Sequence, residues 1–255
     1  MISTFLFSSL LFAKDPAIPG AVTTVDEGRV NWSANRFEAS QSYTERSRSW
    51  EFRENMANQA VGKTLKAAIL SLPITPDNTL EEHLANDAEV SRRLLPKLEQ
   101  WKTLETHYLA ESHEVEVIGY LELKTLLRQL VMKEASKKIR PKEPKDHTGL
   151  LIDARDTSYS PVVLPTITNN DGEDVVSIDG FSYHTAKTRL PVLYVSDPAD
   201  PRSISLIGSN PAMVRAESLT NGDLQIKTED TSRLPSDEDL KAIVSTGKVV
   251  VVIGR

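Results

Sequence analysis

The chain has 255 residues, 39% hydrophobic and 26% charged, with a formal net charge of −6 and no cysteine. That length suffices for one large domain or two small ones, and the balance is globular rather than disordered or membrane-spanning. Scattered Lys and Arg exclude the concentrated basic face that nucleic acid demands. The missing cysteine removes disulfides, thiolate zinc sites, iron–sulfur clusters, thiol nucleophiles and a lipid-modified cysteine together.

Residues 1–13 form an apolar run with small residues, from Met1 through Phe5, Leu6 and Leu11 to Ala13, followed by Lys14-Asp15-Pro16. The run is too short to span a bilayer and has the length of a signal-peptide core, which points to export. No Lys or Arg precedes it, and Leu11 stands where a small residue is preferred before cleavage. A buried N-terminal strand or helix is the alternative. Residues 14–27, rich in Pro, Gly, Ala and Thr, read as an extended mature N-terminus.

A first α+β domain is expected over residues 28–139. Arg29–Trp32 and Arg36–Ala39 flank the turn-like triplet Ser33-Ala34-Asn35 and read as two short strands. Ser47–Leu72 carries Trp50, Ala57, Val61, Leu65, Ala68 and Leu72 at helical spacing, a long amphipathic helix stopped by Pro73. A second helix is expected over Asn86–Trp101, with Asp87 near its start and Pro96 as a kink or break. Thr103–Leu109 and His113–Val117 read as a hairpin. Lys124–Ile139 returns to helical period, so Lys137, Lys138 and Arg140 are expected as solvated helix-end cations.

Residues 140–147, charged and doubly prolyl, read as a linker. The second domain, residues 148–255, is expected to be β-rich with one late helix. Strands are predicted at Gly149–Ala154, Val162–Thr168, Leu190–Val195, Ile204–Ile207, Met213–Ala216, Leu224–Lys227 and Lys248–Ile253. Asn169–Gly172 is expected to turn a hairpin, and Ser236–Ser245 is the helix. The five apolar residues Val249–Ile253 predict a strand buried on both faces.

The chemistry-bearing residues are few. Gly62-Lys63-Thr64 lacks the glycine five positions earlier that a phosphate loop requires, since Ala57 stands there, and it falls inside the long helix. His83, His107, His113, His147 and His184 have no metal-ligand spacing; His107 and His113 could approach across the hairpin. Asp153-Ala154-Arg155-Asp156 at a strand end is the best acid–base candidate. The competing and preferred reading is a salt-bridged strand exit, since no nucleophile elbow or Gly-rich loop accompanies it. Asn31-Trp32-Ser33 is a formal glycosylation sequon, read as chance. Trp32, Trp50 and Trp101 lie in apolar patterns and are expected in the core.

Several segments together resemble the bacterial envelope proteins typified by FlgP and the N-terminal part of FlgT. They are the hairpin with Val30-Asn31-Trp32 and Phe37-Glu38-Ala39 before an Ala-rich helix, then Val115-Glu116-Val117, then Thr148–Arg155. The close adds Asn210-Pro211 with Val214 and Ala216, then Ile226, Glu229-Asp230 and Gly247–Val252. Two departures are the missing lipobox cysteine, so no lipid anchor is carried over, and Asp156 where a small residue such as Gly is expected. The resemblance implies a structural component of ring or disk assemblies around the flagellar motor, periplasmic or associated with the outer membrane.

The combined expectation is an α+β, non-enzymatic envelope protein without catalytic, cofactor-binding or metal-binding residues. Its expected partners are other envelope or motor proteins and further copies of itself. A periplasmic binding or adaptor module unrelated to flagella is the alternative.

Overall fold

The computed structural model describes residues 20–254; the apolar run at 1–13 and the signal-peptide reading placed on it lie outside that span. An antiparallel hairpin opens the described chain, β1 (Val22–Val25) with β2 (Gly28–Asn31). Its turn places Asp26 at φ 48, a left-handed conformation that aspartate tolerates better than most residues. The stretch expected to be a simple extended N-terminus therefore contributes an edge strand. β3 (Arg36–Thr44) follows the Ser33–Asn35 turn as predicted.

α1 (Trp50–Ala68) starts where Ser49 accepts a hydrogen bond from the Phe52 amide at 3.2 Å, with Glu51 in its first turn and Lys66 in its last. These ends satisfy orphan amides and suit the helix dipole. Ala57, Val61, Leu65 and Ala68 form its buried stripe. Trp50 does not join them: at the first helical position it keeps 37% of its surface. A 3-10 turn at Ile69–Ser71 leads to the small pair β4 (Pro73–Thr75) and β5 (Asn78–Thr79).

The second predicted helix is three pieces. α2 (Leu80–Asn86) is capped by Thr79 and Glu82 in a reciprocal box, and α3 (Ala88–Leu94) by Asp87. Pro96 ends α3, because it cannot continue the amide ladder, and residues 95–100 tighten into a 3-10 turn. β6 (Lys102–Leu109) and β7 (Glu114–Glu122) make the predicted hairpin. The first sheet is thus antiparallel in the order β1-β2-β3-β7-β6. α1 covers one of its faces so closely that a Cβ on Gly119 would lie 2.5 Å from the Val61 side chain.

α4 (Leu123–Glu134) buries Leu123, Leu126, Leu127, Leu130 and Val131. It ends five residues earlier than expected, and Lys137, Lys138 and Arg140 lie beyond it. Chain pairing wins there over helical continuation. The Ser136 amide donates to the Phe181 carbonyl and the Tyr183 amide to the Ser136 carbonyl, both at 2.9 Å.

β8 (Leu150–Ala154) begins the second sheet. Only Ile167–Thr168 of the predicted Val162–Thr168 strand joins it, as β9. Pro165 interrupts the run, and the Val163 and Leu164 amides donate instead to the Pro73 and Ile74 carbonyls of β4. β10 (Asp174–Val176) closes the expected hairpin, and the short helix α5 (Tyr183–Ala186) precedes β11 (Leu193–Val195). The predicted strand at Ile204–Ile207 is instead the end of α6 (Pro201–Ile207). Asp200 caps it and Pro201 occupies its first turn, an arrangement that favours helix initiation. β12 (Ala212–Ser218), β13 (Leu224–Ile226), α7 (Asp237–Thr246) and β14 (Val249–Ile253) complete the chain.

The order is β10-β9-β13-β12-β8-β14-β11, with β8, β11, β12 and β14 mutually parallel where they pair. All five residues of β14 are buried, as predicted. One face of this sheet belongs to a core continuous with that of the first half; α6 covers the other through Leu151, Val195, Ile207, Val250 and Val252. The fold is α+β with two sheet-centred halves. The second half carries α5 and α6 besides the expected late helix.

The segment 140–147 is tied down in the structure. The Asp239 carboxylate accepts from the amides of Lys145, Asp146 and His147 at 2.7, 2.8 and 3.2 Å, and Lys248 pairs with Glu143. Among the described residues, no helix is long and apolar enough to cross a membrane.

Candidate functional site

Three places concentrate groups that could act on another molecule. The first is where the parallel strands of the second sheet end, the usual position for ligands in such sheets. Register puts Asp153 of β8 beside Arg215 of β12. Asp153 also receives Arg155 in a two-point contact, Nε to Oδ1 at 2.8 Å and Nη2 to Oδ2 at 2.6 Å. Arg215 turns to the buried Asp230, with Nε at 2.7 Å and Nη2 at 3.1 Å, and lies 3.3 Å from Glu229; Arg233 adds a contact to Asp230 at 3.1 Å.

The electrostatics follow from these pairs. The hydrogen bonds from Arg215 hold the Asp230 carboxyl down at about 2, against the opposing pull of desolvation. Arg155 likewise holds Asp153 below the ordinary aspartate range. Both carboxylates are thus anchored acceptors, poorly suited to taking up a proton near neutrality. Asp156 is exposed on the turn after β8 and enters no ion pair among the described residues. The strand-exit reading of Asp153 and Arg155 describes this geometry. The contribution of Arg215 and Asp230 was not visible in the sequence, because residues sixty positions away reach β8 only through parallel pairing.

The second place is a cleft of about 500 Å³ at the seam between the halves, lined by Ser33, Arg189, Leu190, Leu193, Arg202 and Leu206 among others. Its polar groups are largely committed. The Ser33 hydroxyl donates to the Tyr194 carbonyl and accepts the Ala21 amide, both at 2.9 Å. Arg202 grips the buried Asp200 at two points, 2.9 and 2.6 Å. Beside the cleft, Trp32 meets Tyr194 edge-on with ring centroids 5.3 Å apart. The Tyr194 hydroxyl donates to the Val162 carbonyl at 2.9 Å, which leaves Tyr159 to donate to Tyr194. Burial pushes both phenols well above their usual value, so they act as structural ties.

The third place is the outer strand of the first sheet. Trp50 and Tyr108 pack edge-on at 5.7 Å, and the Arg53 guanidinium lies 4.2 Å from the Trp50 ring centre. Tyr108 donates to Glu54 at 2.8 Å, and that bond, more than burial, raises its hydroxyl above the ordinary tyrosine value. Tyr108 and Leu109 keep 52% and 45% of their surface, high for residues of their type. Sequence patterning assigns Trp50 to the core. Only its place at the helix start, before the buried stripe begins, signals otherwise.

The remaining candidates disperse. His107 bonds Glu105 at 3.0 Å along its own strand, whereas His113 sits in the hairpin turn at φ 56 and offers its carbonyl to Arg53. His83 and His147 lie 4.0 Å from Glu134 and Asp239, and His184 lines a smaller depression beside Lys248. Among the described residues, no group of three His, Cys, Asp or Glu could hold a metal. Gly62 lies inside α1, where a Cβ would meet the Trp101 indole at 2.8 Å. Its glycine is explained by ring packing rather than by a phosphate.

Residues 149–255 match a family model described as the second domain of Treponema pallidum Tp0624. The similarity covers less than half of the chain and includes β8 through β14. No match was found among curated proteins.

Proposed function

We propose that this chain is a non-enzymatic assembly component that works by presenting surfaces to other proteins. The observation that carries this reading is the partly exposed aromatic pair Trp50–Tyr108, where the start of α1, with Arg53 and Glu54, meets the outer strand of the first sheet. Large exposed aromatics are among the side chains that most often anchor protein interfaces; Arg53, itself buried, fixes the Trp50 ring from behind. The charged strand ends of the second half support it, because their carboxylates are engaged by arginines and held deprotonated.

The cellular setting we propose is the bacterial envelope, periplasmic or at the outer membrane, in a ring or disk associated with the flagellar motor. Support comes from the sequence resemblance. Two of its segments, Thr148–Arg155 and Glu229-Asp230, converge in space through Arg215. Fluorescent tagging of the full chain in intact cells tests this setting. Foci at motor positions in the envelope are expected, and a uniformly cytosolic signal would contradict it.

A further inference from the structure

The first sheet has two outer strands, β1 with four residues and β6 with eight. β6 pairs with β7 on one side. Among the described residues, no backbone hydrogen bond outside that ladder involves residues 102–109, apart from the Ser112 hydroxyl on the Leu109 carbonyl. A row of unmet amides and carbonyls on a strand of this length is a template for another strand. Natural edges blunt that hazard with charges and bulges; β6 has Lys102, Glu105 and an irregularity between Thr103 and Glu105 in its first half, and no such device over Thr106–Leu109.

Antiparallel geometry restricts how β6 could pair with a copy of itself. Outward-pointing residues must oppose outward-pointing residues, so the two-fold axis has to pass through a residue position rather than between two. Centring on Glu105 sets two carboxylates against each other, and centring on His107 sets two imidazoles together. Centring on Thr106 sets Glu105 opposite His107 of the second copy, twice. On the α1 side the same register brings the second copy against Tyr108, whose ring is half exposed in the single chain. Glu105 and His107 already bond along the strand at 3.0 Å, so pairing would close them into a ring of alternating carboxylates and imidazoles. Glu116, opposite His107 across β7, borders that ring.

We infer that two copies of this chain associate by antiparallel pairing of β6 with β6, centred on Thr106, with Glu105 facing His107 of the other copy. The inference rests on the assembly reading above and gives it a partner and a surface. Complementary side chains at a two-fold axis count twice, which makes the register sensitive to single changes.

The test is sedimentation velocity on the full chain, its Glu105→Lys and His107→Glu variants, and an equimolar mixture of the two. The wild-type chain should be a dimer. Each variant alone should weaken dimerisation about tenfold or more, since both symmetric contacts become unfavourable. The mixture should recover a heterodimer, because the introduced lysine then faces the introduced glutamate while the native His107 and Glu105 still face each other. Recovery on mixing separates interface loss from misfolding. A wild-type chain that stays monomeric at every concentration would overturn the inference. A dimer indifferent to both substitutions would overturn it too, while leaving assembly through another surface intact. Variants that weaken but do not rescue each other would refute the register.

Discussion

The two halves of this molecule solve the burial of a sheet differently. The first half lays one long helix across one face of an antiparallel sheet and leaves a long outer strand unpaired on one side. The second half buries its interior strand β14 on both sides, with the shared core on one face and α6 on the other. β7 alternates polar and apolar residues, whereas β14 is five apolar residues in a row. An unpaired edge leaves surface for partners; a doubly covered strand leaves none. We therefore place stability in the second half and contact in the first.

The sharpest way to break that comparison is in β14. Val251→Asp puts a charge where nothing is exposed and no partner is near, at a cost of more than about 4 kcal/mol, enough to unfold most domains. Circular dichroism and urea melts should show a chain that fails to fold cooperatively. A smaller effect is expected at the contact between α1 and the first sheet. Gly119→Ala would thrust a methyl to within 2.5 Å of Val61 and 3.0 Å of Trp101, costing about 1–3 kcal/mol in the same melts.

The strand-end ion pairs should show themselves through acid. Asp230 titrates near 2 in the folded chain and near the ordinary aspartate value when unfolded. Its depressed value means that its contribution is complete above about pH 4 and drains as pH falls toward 2. Asp230→Asn should be less stable at pH 7 and lose less between pH 4 and 2, as urea midpoints across that range would show. At the tied connector, Asp239→Ala removes the acceptor for three amides. Faster limited proteolysis within residues 140–147, with the rest of the chain resistant, is the expected readout. Smallest of all, Trp50→Ala and Tyr108→Ala should each shift stability by no more than about 1 kcal/mol, since neither side chain fills the core.

Much of the architecture was legible because local signals agreed with tertiary demands. The apolar stripe from Ala57 to Ala68 marked the long helix, Asp87 capped α3, Asn169–Gly172 turned a hairpin, and the apolar run at the end became an interior strand. Failures came where an apolar run was too short to have a period. Ile204–Ile207 fits either strand or helix, and only Asp200-Pro201 ahead of it marks a helix start. The box formed by Thr79 and Glu82 was likewise present in the sequence and announces α2. Pro165 dividing the Val162–Thr168 run carried the same kind of warning. The candidate sites were less legible. Arg215 reaches Asp153 through parallel register, and Trp50 packs on Tyr108 of the outer strand, neither of which periodicity encodes.

What remains decisive is which half carries function. On the function proposed above, the direct test is complementation of a deletion strain with folded variants from both regions, scored by motility and by envelope foci of the tagged chain. Asp153→Asn with Asp156→Asn should restore both, whereas Trp50→Ala with Tyr108→Ala should restore neither despite normal protein levels. Full rescue by the aromatic pair and loss with the aspartates would contradict this, and would move function to the charged strand ends.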